Sequence, residues 1–183
     1  MLVNLRALLA RLVDIVLLRG GPESLPASPM LLGVVIVANL AVYVIVLALI
    51  PTGHEMSILE LIVSTAVPLL WYQIAFSLAN KPERFVHTMI AFFGVNTLFQ
   101  PVIAPMLATL LPYVEKQDPA VTPPAALSML FFLVALWLLI VWARVVRAAF
   151  EWPYIVVIIF ILGQNFAAVF VDAMLFGARP DSM

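Results

Sequence analysis

Long apolar stretches separated by short polar connections dominate the pattern along this chain of 183 residues. A helix needs about 20 apolar residues to cross the roughly 30 Å of hydrocarbon in a bilayer. Stretches of that kind recur five times, and their predicted limits are residues 30–50, 57–79, 85–112, 125–148 and 153–176. The pattern therefore predicts an all-α integral membrane domain of five transmembrane helices over residues 30–183.

Residues 1–19 follow a different pattern, because the segment is too short and too charged to span a bilayer. On a helical wheel Asn4, Arg11 and Asp14 gather on one side. The other side is apolar and consists of Leu2, Leu5, Leu9, Leu12, Val13 and Val16. This distribution is typical of an amphipathic helix lying in the membrane interface. A cleaved secretory signal is the competing interpretation, which the charges at Arg11 and Asp14 oppose. Residues 20–29, GGPESLPASP, form a Pro/Gly linker.

Composition supports the membrane assignment and excludes several classes of protein. Hydrophobic residues make up 65% of the chain and charged residues 10%, and the mean hydropathy is +1.16. Soluble domains carry about 25% charged residues, so too few polar side chains are present here to cover a water-exposed surface. The net charge of −1 offers no basic surface for phosphates, and we expect no nucleic-acid partner. Without cysteine, disulfides and thiolate-bound metals are impossible.

The distribution of basic residues predicts the orientation in the membrane. Lys and Arg favour the cytoplasmic connections of inner-membrane proteins. With five spans, seven of the nine basic residues fall on the N-terminal side: Arg6, Arg11, Arg19, Lys81, Arg84, Arg144 and Arg147. Lys116 and Arg179 fall on the other side. We therefore expect a bacterial inner-membrane protein with a cytoplasmic N-terminus and a periplasmic C-terminus.

Two acids lie inside the predicted spans and are the strongest candidates for function. An ionisable side chain in a span costs a few kcal/mol to insert, so it is a functional hypothesis by default. Glu60 lies near the start of the second span and Asp172 near the end of the fifth. Because these spans run in opposite directions, both acids lie at similar depth near the periplasmic face, where they could approach each other. The alternative is that each is hydrated at the interface or paired with Lys116 or Arg179.

The fifth span carries further polar residues, Gln164 and Asn165. Asn165, Ala168 and Asp172 fall on one stripe of a helix, and small or polar stripes allow helices to approach closely and to form hydrogen bonds. We interpret the stripe as a packing surface, with a substrate or proton path as the alternative.

The third span combines polar residues with helix-breaking prolines. Asn96 and Gln100 share one face, and Pro101 and Pro105 predict a kink that frees main-chain carbonyls. Asn96 and Gln100 are natural donors for such carbonyls or for a neighbouring helix, which favours a structural role over a binding role. His87 lies at the predicted headgroup level, where we expect it to be hydrated rather than catalytic.

Motifs for catalysis are missing from the sequence. HEMS at residues 54–57 begins like a zinc-protease helix but lacks the second histidine. Neither GxSxG nor a glycine-rich phosphate loop occurs. We therefore expect no enzyme activity, no cofactor and no metal site.

Two stretches carry a family resemblance: LLRGGPESLPASP before the first span, and KPERFVHTMIAFFG at the entry to the third. The second contains the pattern R-F-x-x-T-x-x-A-x-x-G. Together with the five-span layout, they resemble bacterial members of the Yip (Ypt-interacting protein) membrane superfamily. The resemblance implies a five-span fold and no established chemistry. The GTPase-linked role of the eukaryotic relatives is not carried over, because it acts through a longer cytoplasmic N-terminal region.

These observations favour a non-enzymatic inner-membrane scaffold or an accessory subunit of a larger membrane complex, acting by helix packing. We expect its partners to be membrane lipid and a membrane protein or a second copy of the chain. The alternative is a small proton-coupled transporter or channel that uses Glu60 and Asp172. A membrane enzyme is the least favoured class.

Overall fold

The structure, a computed structural model, describes residues 5–49, 57–115 and 122–177, and within these ranges it contains helices and no strand. The six α-helices are α1 (Leu5–Val16), α2 (Pro29–Leu49), α3 (Ile58–Leu78), α4 (Phe85–Glu115), α5 (Ala125–Phe150) and α6 (Tyr154–Phe176). Short 3₁₀ helices at Pro22–Ser24 and Pro82–Arg84 precede α2 and α4. Helices α2 to α6 are each long and apolar enough to cross a membrane, which confirms the predicted all-α architecture with five such helices.

Some sequence predictions concern residues outside the described ranges. Lys116 and Arg179, the two basic residues assigned to the periplasmic side, are among them, as is the HEM part of the HEMS motif. Of the predicted interfacial segment, the described part begins at Leu5.

Helix α4 lies at the centre of the bundle and contacts α1, α2, α3 and α5, whereas α6 packs on α3 and α5. Its first half is deeply enclosed, since Met89, Ile90 and Val95 are fully buried. Three prolines, Pro101, Pro105 and Pro112, lie in its second half, and the helix continues through all of them. The predicted kink is therefore not accompanied by a break in the helix.

Helix α1 packs against this centre along one side, on which Leu8, Leu12 and Ile15 are buried. Leu12 lies over Gly94 of α4, where a Cβ atom would come 2.5 Å from the Leu12 Cδ2. A side chain at position 94 would therefore require Leu12 to shift. Leu5, Leu9 and Val13 form a second apolar side of α1 that stays exposed.

The C-terminal end of α1 is bound by side chains of α5. Trp137 donates from Nε1 to the Val16 carbonyl at 3.1 Å, and Arg144 donates from Nη1 to the Leu18 carbonyl at 2.8 Å. The carbonyls at the C-terminal end of a helix find no N–H donor within the helix, so side-chain donors satisfy them. These two bonds fix the end of α1 to α5.

Candidate functional site

A cluster of three charged side chains lies where the connection between α3 and α4 meets the end of α5. Lys81 Nζ is 2.8 Å from Glu151 Oε2, and Arg84 Nη1 is 2.7 Å from Glu151 Oε1. Lys81 also donates to the Phe150 carbonyl at 3.0 Å. Arg84 donates to the Ala149 carbonyl at 3.1 Å. Because the C-terminal end of a helix dipole is negative, both cations stabilise the end of α5 as well as the ion pairs.

Glu151 is the residue around which this cluster forms. It follows the last residue of α5 with φ 63°, in the left-handed region that glycine usually occupies at helix ends. Hydrogen bonds from Lys81 and then from Arg84 hold the pKa of the Glu151 carboxyl down, from 4.5 to about 2. The carboxylate therefore stays ionised at neutral and mildly acidic pH. From the sequence, Lys81 and Arg84 are predicted only to mark the orientation in the membrane, and Glu151 is not singled out.

A polar cavity of about 350 Å³ adjoins the cluster and contains His87. Its walls are Pro22, Glu23, Arg84, His87, Thr88, Ala148, Ala149 and Glu151. The Nδ1 atom of His87 is buried, and no described residue makes a hydrogen bond with it. Nδ1 of an imidazole donates or accepts according to its tautomer, so water or a small polar molecule in the cavity would satisfy it. His87 therefore faces a polar cavity formed partly by the linker before α2.

Glu60, the first acid singled out from the sequence, helps to cap the N-terminal end of α3. The Ser57 hydroxyl accepts from the Glu60 N–H at 3.2 Å, and the Glu60 carboxylate accepts from the Ser57 N–H at 2.8 Å. This reciprocal pair is a capping box, which satisfies two main-chain donors at the helix start. Glu60 is buried, and capping of α3 accounts for at least part of its role.

Asp172, the second acid, is exposed on α6 and makes no hydrogen bond or ion pair with a described residue. Both carboxyls lie within electrostatic range of the Tyr43 hydroxyl of α2, so the two acids share one end of the bundle. The structure does not bring Asp172 and Glu60 into a hydrogen bond with each other.

The side-chain hydrogen bonds from α2 to α4 come from Asn39, a residue that the sequence pattern did not single out. Asn39 of α2 donates from Nδ2 to the Phe93 carbonyl at 3.3 Å and to the Thr97 hydroxyl at 3.2 Å. Asn96 and Gln100 make no hydrogen bond with a described residue, and the Gln100 Oε1 is buried without a partner among them. The predicted bonds from Asn96 and Gln100 to carbonyls near the prolines are thus not formed in the described part of the chain.

The predicted packing stripe of α6 is turned away from the bundle. Asn165 and Asp172 are exposed and Ala168 is half-buried. The Asn165 amide donates to the Ile161 carbonyl of its own helix at 2.8 Å. The side of α6 that packs on the bundle is formed by Val157, Ile161 and the buried Gln164. The stripe therefore does not hold α6 to its neighbours within the chain.

An apolar groove of about 650 Å³ runs between α3 and the start of α6. It is lined by Trp71, Ile74, Ala75, Leu78, Ala79, Lys81, Phe150, Trp152 and Phe160. Aromatic rings form much of its wall: Phe150 stacks on Trp152 at 4.2 Å, and Trp71 lies 5.6 Å from Phe160 between ring centroids. Among the described residues of this lining, Lys81 is the one that is charged, so the groove is apolar along its length and carries a cation at one end.

Within residues 5–49, 57–115 and 122–177, no group of three or more histidine or acidic side chains could hold a metal ion. Comparison with known proteins adds no relative: no family model, no curated protein and no solved structure matches the chain. The resemblance to the Yip superfamily therefore stays a prediction.

Proposed function

We propose that this chain is a multi-pass inner-membrane protein that acts without catalysis, as a scaffold or accessory subunit that binds a transmembrane helix of another membrane protein. The outer surface supports the membrane location. Large apolar side chains are exposed along every one of the five long helices, among them Val37, Ile62, Val102, Phe132 and Ile159. A water-soluble protein rarely exposes contiguous apolar patches of that extent.

The charged residues support the proposed orientation. Lys81, Arg84, Arg144 and Arg147 all lie near one end of the bundle, since they contact the last turn of α5, the end of α1 or the start of α6. The Arg147 guanidinium lies 4.1 Å from the centre of the Tyr154 ring. Arginine and lysine favour the cytoplasmic side, and tyrosine marks the headgroup level on either side.

The exposed side chain of Asn165 is the single observation on which the proposal of a partner helix rests. It lies near the middle of α6, is exposed, and satisfies its amide by bonding the Ile161 carbonyl, whereas no described residue donates to its Oδ1. A polar atom without a hydrogen bond is costly in hydrocarbon. A donor on a neighbouring transmembrane helix would satisfy it, and the half-buried Ala168 one turn away would let that helix approach closely.

The experiment is a mass measurement after gentle detergent extraction, made on the wild type and on Asn165→Leu. We expect the wild type to extract as an assembly and Asn165→Leu to shift towards the mass of the single chain. Ser64→Leu on α3 is the matched control, because the exposed Ser64 hydroxyl already bonds its own helix at the Leu61 carbonyl. A wild type that extracts as a monomer with no associated subunit would contradict the proposal. Equal masses for Asn165→Leu and the wild type would contradict the assignment of Asn165.

The alternative function, a proton-coupled transporter that uses Glu60 and Asp172, has one supporting feature, the electrostatic interaction of both carboxyls with the Tyr43 hydroxyl. Glu60→Gln keeps an oxygen that can accept from the Ser57 N–H, so it removes the charge without removing the cap. A transporter would lose activity in Glu60→Gln and Asp172→Asn while remaining folded. A scaffold would keep its assembly and its function in Glu60→Gln.

A further inference from the structure

We propose that the groove between α3 and α6 binds one anionic glycerophospholipid, with an acyl chain along α3 and the phosphate at Lys81. The inference rests on the membrane location proposed above, and it is independent of the partner protein and of Asn165.

The length and lining of the groove fit an acyl chain. From Trp71 to Ala79 the groove follows α3 for about 12 Å at 1.5 Å per residue. Ala75 and Ala79 lie one turn apart in its lining, and their small side chains leave the space that Trp71 and Phe160 close at the far end. The volume of about 650 Å³ lies within the range of ordinary ligand sites.

The groove is open on the outer surface of the bundle. Ile74 and Leu78, which line its edge, are 59% and 79% exposed. In a bilayer this surface faces hydrocarbon, so an acyl chain can enter from the side without crossing a polar barrier. Water inside so apolar a groove would lack hydrogen-bond partners over most of the lining. A lipid chain is therefore the occupant that matches the walls.

The charge at the end of the groove selects the headgroup. An ammonium has three donor protons, and Lys81 uses two of them, on the Phe150 carbonyl and on Glu151. The third is left for a phosphate oxygen. Because the Lys81 ammonium lines the groove itself, its positive charge favours an anionic headgroup there. Trp152 lines the same end, and tryptophan is enriched at the level where lipid headgroups begin.

The test is native mass spectrometry of the full chain in detergent, titrated with phosphatidylglycerol or with phosphatidylcholine of the same acyl composition. We expect one saturable phosphatidylglycerol molecule per chain, bound about fivefold more tightly than phosphatidylcholine. A preference of about that size is what the attraction between one cation and an anionic lipid provides. Equal affinity for the two lipids would overturn the assignment of the headgroup. The absence of any saturable lipid would overturn the site.

Two groove-filling variants, Ala79→Leu and Ala75→Leu, should each abolish saturable binding, and thermal unfolding will identify a variant that fails to fold. Ala66→Leu is the matched control, because Ala66 lies on the same helix in a different surface depression. Unchanged binding in both folded filling variants would overturn the location of the chain.

Lys81→Gln should lose the roughly fivefold preference for phosphatidylglycerol. Arg84→Gln breaks an equivalent ion pair with Glu151 but lies outside the groove, so it should keep the preference. The same loss in both variants would mean that the ion pairs, rather than Lys81 itself, produce the effect, and it would overturn the role of Lys81. Because these measurements use the chain alone, failure of the partner proposal would leave them unchanged.

Discussion

Gly94→Ala is the substitution that most directly tests the packing of α1 on α4. Two effects oppose each other. Alanine is more favourable than glycine inside a helix by about 1 kcal/mol. The new methyl group would lie 2.5 Å from Cδ2 and 2.8 Å from Cδ1 of Leu12, and overpacking of that kind costs about 1–3 kcal/mol. We expect Gly94→Ala to be between neutral and about 2 kcal/mol less stable than the wild type.

Gly33→Ala is the matched control, because no atom lies within 4 Å of a Cβ built at Gly33 of α2. It should gain the helix preference of about 1 kcal/mol without any overlap. The free energy of unfolding, measured by denaturant titration in detergent, should therefore separate the two glycine variants by about 1–3 kcal/mol.

Leu12→Ala tests the same contact from the other side. Alone it should cost about 2–5 kcal/mol, the usual range for a buried leucine. In the double variant with Gly94→Ala the new methyl group has room, so the two effects should not add. A coupling of about 1–3 kcal/mol is expected, whereas independent sites add to within about 0.5 kcal/mol. A Gly94→Ala protein as stable as Gly33→Ala, with no coupling to Leu12→Ala, would refute the contact.

Three further predictions concern hydrogen bonds at helix contacts and helix ends. Asn39→Leu should lower the free energy of unfolding by about 0.5–2 kcal/mol, because it removes the bonds to Phe93 and Thr97; an unchanged value would show that these bonds do not form. Ser57→Ala should cost about 1 kcal/mol through loss of the cap, and an unchanged free energy of unfolding would exclude the capping role. The lowered pKa of Glu151 stabilises the fold above about pH 4.5, and this contribution is lost as the pH falls towards 2. The unfolding temperature of the wild type should therefore fall on acidification in this window by more than that of Glu151→Gln. Equal decreases in the two proteins would contradict the ion pairs.

The long helices could be predicted from the sequence because each one depends on a local property, an apolar stretch long enough to cross a bilayer. The faces of those helices could not. Helix α6 is apolar on nearly all sides, so periodicity does not show which side meets protein and which meets lipid. This is why the stripe of Asn165 and Asp172 could be interpreted as a packing surface, although Ile161 and Gln164 lie on the side of α6 that is buried in the bundle.

The partners of the polar residues were hidden for a different reason. Lys81 and Glu151 are 70 positions apart in the sequence, and Asn39 and Phe93 are 54 apart, so no local spacing points to either pair. Asn39 did leave a signal, since it is the one amide inside the first apolar stretch. A polar side chain there would have to find a partner on another helix.

The basic residues near one end of the bundle have two roles, and this affects how orientation should be tested. Moving Lys81, Arg84 or Arg144 would change the positive-inside signal and would also break bonds to helix ends, so a charge swap could not separate topology from folding. Because the chain lacks cysteine, single cysteines avoid that problem. Asn80 is a poor position, since its φ of 52° is strained for cysteine.

The exposed Glu83, in the connection between α3 and α4, and the exposed Thr122, before α5, are better positions for the labelling. For the proposed orientation, an impermeant maleimide should label Thr122→Cys but not Glu83→Cys in cells whose outer membrane has been permeabilised. Both cysteines should react after detergent lysis, which controls for their accessibility. Labelling of Glu83→Cys alone would show that the orientation is the reverse of the proposed one. Labelling of both cysteines before lysis would contradict the five-span topology, because α4 could not then cross the membrane between them.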